Sequence, residues 1–280
     1  MKKFTYTNEY GDEVVFDNNP KSTQFLVSLT GLISKTEQYV KAIEQDGQKT
    51  LKSVYNARPL MAKMIYERRG RSLADYQKHW IEIVNIFAPK VKGTIKYQTE
   101  SGTYLIDVMP LEEPELIKQQ FTIQFTADFP FWKDAIQKEY VLGTVKPLWK
   151  FPATFANGPL KMGEWQKTFS FNSKVNADTP FIVEIEGVGD YCKITNEKGE
   201  FMMVDVPITQ GEKLIINTGN KTVIHTAADG TVTDANNKLT IDSDYLMFHR
   251  GENILTYDNG ISSLPVATLK FAELYTGGII

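Results

Sequence analysis

At 280 residues, with 42% hydrophobic and 23% charged side chains, the chain is long enough to bury a large core, and its length favours two domains. A formal net charge of −3 disfavours nucleic acid as a partner, because binding to a phosphate backbone draws its affinity from dense Lys and Arg. No segment strings together the roughly 18 apolar residues that cross a bilayer, and Met1–Tyr10 lacks the apolar run of a signal peptide. A soluble chain with no membrane partner is therefore expected. Cys192 is the single cysteine, which excludes an intrachain disulfide and a Cys-pair zinc site, so stability must come from packing. His79, His225 and His249 are far apart in sequence, with no second histidine at the helical zinc spacing; no metal or other cofactor is expected.

In chain order, Glu13–Phe16 and Gln24–Leu29 are short, rich in β-branched or aromatic residues, and predict strands. Tyr39–Asn56 is two extended runs around Asp46-Gly47, a hairpin signal. Pro59–Glu67 suits a helix or a strand by composition, and its neighbours favour a strand. Arg68, Arg69 and Arg71 surround Gly70 where that strand should give way to a helix. They read as a solvated turn or, functionally, as subunit-interface candidates that meet a neighbour's carboxylates.

Ser72 then begins the clearest local signal. It is a candidate N-cap with Asp75 three residues on, and Pro89 marks the stop. Between them Leu73, Tyr76, Trp80, Ile83, Val84 and Phe87 recur at helical spacing, which predicts an amphipathic helix from Ser72 to Phe87 laid on a sheet. About 16 residues span ~24 Å, and burial of the stripe contributes on the order of 10 kcal/mol before entropy is subtracted.

Thr94–Thr99 and Tyr104–Met109 flank Ser101-Gly102 and predict a hairpin; Phe121, Ile123 and Phe125 alternate with polar residues in a further strand. The expected first domain, residues 1–134, is thus α+β: mostly strands with one covering helix. From Asp134, prolines, glycines and aromatics without periodicity predict a packed linker. Eight short runs follow, at Phe181–Glu186, Tyr191–Thr195, Phe201–Val206, Lys213–Asn217, Lys221–His225, Asp244–Phe248, Asn253–Tyr257 and Ala267–Leu274. They are separated by glycine-bearing turns, so residues 135–280 are expected to form an all-β sandwich or jelly roll.

Nothing in the sequence announces catalysis. Phosphate-binding glycine loops, GxSxG and HExxH are absent, and Asp242-Ser243-Asp244 lacks the glycine and distant glutamate of a calcium loop. Glu112-Glu113 and the pair Glu184 and Glu186 invite comparison with glycosidase carboxylates, but Glu184 and Glu186 alternate with Val183 and Ile185 as on the wet face of a strand. No enzymatic activity is expected. Trp149 and Trp165, with Tyr191 and Tyr245, are candidates for a sugar platform, set against the ordinary fate of sandwich aromatics as core.

The order of elements resembles one family. Arg58-Pro59-Leu60, a strand, a helix ending Phe87-Ala88-Pro89, a hairpin, and a strand closing in Phe125-Thr126-Ala127-Asp128-Phe129-Pro130-Phe131-Trp132 resemble the N-terminal domain of siphophage distal tail proteins. Here Phe129 is inserted before the proline, where the family pattern has none. The C-terminal half is similar too, through Thr179-Pro180-Phe181, Thr195-Asn196, Gly199-Glu200-Phe201, Gly211-Glu212, Asp242-Ser243-Asp244 and Gly251-Glu252-Asn253. The resemblance implies an N-terminal ring-forming domain, a galectin-like C-terminal domain and a homo-hexameric ring at the virion tail tip, made in the bacterial host cytoplasm. Implied partners are the tail tube protein, a tail-tip or tail-associated protein and a receptor-binding protein. A prophage origin is equally compatible. Arg58, in the motif, joins Arg68, Arg69 and Arg71 as a subunit-interface candidate. The alternative is a carbohydrate-binding adhesion module that uses the C-terminal sandwich, with Trp149 and Trp165 as its platform.

Overall fold

The structure, a computed structural model, describes residues 2–19, 21–33, 36–42, 48–142, 144–147, 163–261 and 266–277. The chain forms two units: Met1–Ile136 together with Leu274–Ile280, and Gln137–Glu273.

The first unit opens with β1 (Lys3–Asn8), β2 (Glu13–Asp17) and β3 (Gln24–Thr30), followed by an antiparallel pair of β4 (Thr36–Ala42) and β5 (Gln48–Tyr55). Then come β6 (Arg58–Tyr66), α1 (Leu73–Ile86), β7 (Gly93–Gln98), β8 (Thr103–Pro110), β9 (Gln120–Ala127) and β10 (Trp132–Asp134). Seven strands run in the order β8-β7-β1-β2-β3-β6-β9, and β9 returns to β8 through Met109↔Thr126 and Pro110↔Phe125. The result is a closed barrel, which leaves no free edge among those seven. Period-two alternation decides what points inward: Leu60, Ala62, Met64 and Tyr66 from β6, and Phe121, Ile123, Phe125 and Ala127 from β9, are all buried.

The helix closes this core as its sequence predicts. Ser72 Oγ accepts from the Asp75 amide at 3.1 Å and donates to the Asp75 carboxylate at 2.6 Å, which satisfies one of the orphan amides of the first turn. Ile83 and Phe87 are buried, and Phe87 stacks on Tyr6 with ring centroids 4.9 Å apart. Leu73, expected in the stripe, is 54% exposed. The first turn is spent on capping, and apolar contact begins only where Tyr76 meets Tyr66.

The second unit comprises β11 (Lys138–Leu142), β12 (Thr144–Pro147), β13 (Gly163–Gln166), β14 (Thr168–Ser173), β15 (Ile182–Glu186), β16 (Cys192–Asn196), β17 (Phe201–Val204), β18 (Lys213–Asn217), β19 (Thr222–Thr226), β20 (Val232–Asp234), a 3-10 turn at Asn236–Lys238, β21 (Gly251–Asp258) and β22 (Val266–Phe271). A sheet of order β11-β22-β15-β18-β19-β20 and one of order β14-β21-β16-β17 share a single core. Val183, Ile185, Leu214, Ile216 and Leu269 enter it from the first, and Ile194, Met202, Val204, Leu255 and Tyr257 from the second. Phe248 lies at 4.7 to 5.6 Å from the rings of Phe171, Phe181 and Phe271. This is a β-sandwich.

Three expectations are corrected. The stretch from Asp134 is no simple linker, since it supplies β11, paired with β22, and the β12–β13 hairpin. In Lys138–Leu142 only Leu142 is buried, so pairing with a distant strand, rather than local alternation, makes it a strand. Residues 148–162 lie outside the described residues, as does the Asp46-Gly47 turn. Asp244–Phe248 alternates in burial but enters no ladder, meeting Thr179 only through an isolated bridge at Phe248. Finally, Ala267–Leu274 is not one strand. β22 stops at Phe271, and Leu274–Tyr275 pairs instead with Lys133 and Trp132 of β10, which carries the C-terminal residues back to the first unit.

Candidate assembly interface

The four arginines singled out in the sequence part ways. Arg58, first residue of β6, is only 2% exposed, and its guanidinium donates from Nη1 to Leu32 O at 3.0 Å and from Nη2 to Thr276 O at 2.7 Å. Burial pushes its pKa down to about 10, which still leaves it charged near neutral pH. Arg58 therefore faces inward, and the outward-facing set is the turn that follows the same strand.

Gly70 adopts φ +74°, and Arg68 Nε donates to Arg71 O at 2.8 Å, which folds the turn on itself. Arg68 and Arg69 are exposed; Arg69 pairs with Glu67. Arg71 points the other way. Its Nη1 donates to the Tyr66 hydroxyl at 2.9 Å and lies 3.3 Å from His79 Nδ1, while the Tyr66 hydroxyl lies 2.8 Å from the same nitrogen. Beneath it the Tyr66 ring stacks on Tyr76 at 4.7 Å and 8°, and Trp80 meets Phe121 edge-on at 5.0 Å. Burial, and then the charge of Arg71, hold the His79 pKa below its ordinary value, which suits a neutral imidazole among cationic and hydroxyl donors. The two exposed arginines thus ride on a turn anchored by an aromatic stack, a rigid way to present charge.

The first unit carries other exposed features. Ile33, Met61 and Leu111 are exposed around an open cleft of ≈ 320 Å³, and Glu112, Glu113 and Glu115 line a hollow of ≈ 420 Å³ with Lys63. Leu73 and Ile81 are exposed on α1. Phe129, the residue that departs from the family pattern, is 43% exposed and meets Phe131 edge-on at 5.1 Å, which in turn meets Tyr55 at 5.0 Å. An amphipathic strand reveals which residues face outward, but only the assembled barrel brings those from different strands together.

In the second unit, Trp149 lies outside the described residues and Trp165 occupies β13 opposite Val145. Tyr191 donates to the Asp258 carboxylate at 2.8 Å, and Tyr245 is half-buried. Glu184 is held by Lys213 at 2.9 Å and Lys270 at 3.0 Å, and Glu186 by Lys213 at 3.3 Å. The lysines keep the Glu184 carboxyl below its usual range, so the pair is an ion-paired strand face rather than an acid and base poised apart. Among the described residues no group of three or more His, Cys, Asp or Glu is placed to hold a metal, and no helix is long and apolar enough to cross a membrane.

Comparison with known proteins gives matches on both units. The family described as phage tail protein RIFT-related domain matches residues 11–127, and the siphovirus-type tail component, C-terminal domain, matches residues 172–275. No curated protein matches the chain. Among solved structures, the Dit protein of phage SPP1, described as a paradigm of hub adsorption apparatus in phages that infect Gram-positive bacteria, aligns with a TM-score of 0.67 at 13% identity, over 97% of this chain and 99% of that one. A chain of the phage P2 baseplate in its activated conformation with calcium gives 0.53 at 15% identity, and one from the strontium form 0.52 at 14%, each over 98% of both chains. These likenesses carry the fold from end to end. Together with a tail-component family matched on each unit, they make the chain a member of the siphophage distal tail protein family, a structural component of the phage tail.

Proposed function

We propose that the chain assembles as a hexameric ring hub that joins the tail tube to the tail-tip or baseplate adsorption apparatus. The observation that carries this reading is the full-length likeness to the SPP1 Dit protein, a hub of an adsorption apparatus, across both units. The first unit supplies the ring. A heterologous contact closes when its rotation divides the circle, and it needs rigid, complementary faces rather than reactive groups. The barrel, with Arg68 and Arg69 held outward and apolar residues exposed elsewhere on its surface, is such a body. Its role is mechanical, and the protein is not an enzyme.

The second unit, on this reading, is a galectin-like sandwich that contacts a tail-tip or tail-associated protein and a receptor-binding protein, while the ring abuts the tail tube protein. The site of action is the virion tail tip, after synthesis in the host cytoplasm. Sedimentation of the purified chain over a range of concentration and salt tests the ring. A species of about six subunits that grows with concentration and recedes with salt is expected from a charge-steered contact. A chain that stays monomeric even with its tail-tube or tail-tip neighbour would overturn the hub. Glycan titration separates the adhesion reading, which requires binding tighter than about millimolar that Trp165→Ala removes.

A further inference from the structure

Arg58 lies between two segments far apart in the chain. Leu32, which accepts from Nη1, belongs to the stretch leaving β3 for the β4–β5 pair; Thr276, which accepts from Nη2, follows Leu274–Tyr275 and stands 218 residues along from Arg58. The same two segments also touch each other. A Cβ on Gly277 would lie 3.0 Å from Leu32 O and 3.3 Å from Ile33 Cα. On the other side Gly31 adopts φ +83°, and a Cβ there would fall 2.1 Å from Pro59 O, so the root of the β4–β5 pair is pressed against the first residues of β6. Leu274 is buried, and Tyr275 meets Tyr104 edge-on at 5.2 Å.

A guanidinium removed from water is tolerated only where acceptors replace the solvent. Here backbone carbonyls from both segments do so, which means that displacing either one makes the other's position less favourable as well. Coupling of this kind is reciprocal. We infer that Arg58 couples the root of the β4–β5 hairpin to the C-terminal strand, so that the first unit is complete only once residues 274–277 have docked on it. Synthesis delivers those residues after the whole second unit. The hairpin root is therefore fixed last, although its own residues are made early. The coupling stands on contacts within one unit and does not depend on the ring reading.

Hydrogen exchange of the full-length chain, followed on peptides covering residues 29–33 and 274–277, tests it, with peptides from β7 and β18 as references. In Arg58→Met both segments should exchange faster by about tenfold or more, with the references unmoved. A response in one segment alone, or in neither, would overturn the coupling. Gly277→Val attacks from the opposite side, pushing residue 277 off Leu32 while leaving Arg58 in place, and keeps the question open to measurement if Arg58→Met does not fold. It should speed exchange at 29–33 by a similar factor, about tenfold. Unchanged exchange there would sink the proposal.

Discussion

Arg71 donates to the hydroxyl of Tyr66 at 2.9 Å while Tyr66 stacks on Tyr76, so one tyrosine anchors both the arginine turn and the start of α1. Its ring is fully buried and its hydroxyl also reaches His79 Nδ1. Tyr66→Phe keeps the ring but leaves Arg71 and His79 short of a partner, and should lower unfolding stability by about 1 to 2 kcal/mol. Urea unfolding measures this; a loss within the error of the method would show that the hydroxyl anchors nothing.

The same cluster makes a pH prediction. His79 has its pKa lowered by burial and by Arg71, partly offset by Glu82, so the unfolded chain binds a proton there more readily than the folded one. Stability then rises with pH through the window below the ordinary histidine value of 6.5, and is lost as pH falls from 6.5 toward the depressed folded value. His79→Gln should flatten the stability profile across that window and leave it unchanged above. Parallel profiles for the two proteins between pH 7 and pH 5 would contradict this placement of the imidazole.

Trp80 packs against Tyr66 and Phe121 but keeps part of its surface in water. Trp80→Ala should therefore cost about 2 to 3 kcal/mol, below the 3 to 5 typical of a fully buried tryptophan. Thermal unfolding checks it, and an unmoved midpoint would mean that the helix is not held by its aromatic face.

Much of this fold was legible because its signals are local. Ser72 and Asp75 form a cap in any context, and Phe121, Ile123 and Phe125 alternate whatever strand lies beside them. What escaped the sequence is non-local. Nothing near Met109 or Pro110 announces that their strand meets Thr126 and Phe125 to close a barrel. Leu274–Tyr275 is a two-residue strand whose partner is Trp132 and Lys133. Arg58 stands among the interface candidates only through its place in the motif, and the convergence of Leu32 and Thr276 is what turns it inward. Of the interface candidates, Arg68 and Arg69 stand outward as a glycine-bearing turn suggests, whereas the exposed Ile33, Met61 and Leu111 come together only through strand pairing.

Reversing the exposed charges separates folding from assembly. Arg68→Glu with Arg69→Glu should change the chain's own stability by no more than about 0.5 to 1 kcal/mol, since the Arg69–Glu67 pair is an exposed ion pair. Association of subunits should nonetheless weaken and lose part of its salt dependence. If association is unaffected while folding is intact, the arginine turn lies away from the subunit boundary.

The ring itself is tested most directly by cryo-electron microscopy of tails that carry this protein. The account predicts six copies in one closed ring between tube and tip, with first units in contact around the circle and the Arg68–Arg69 turn at each boundary. Tails in which the first units make no rotationally symmetric contact, or which assemble normally when residues 1–136 are deleted, would contradict it.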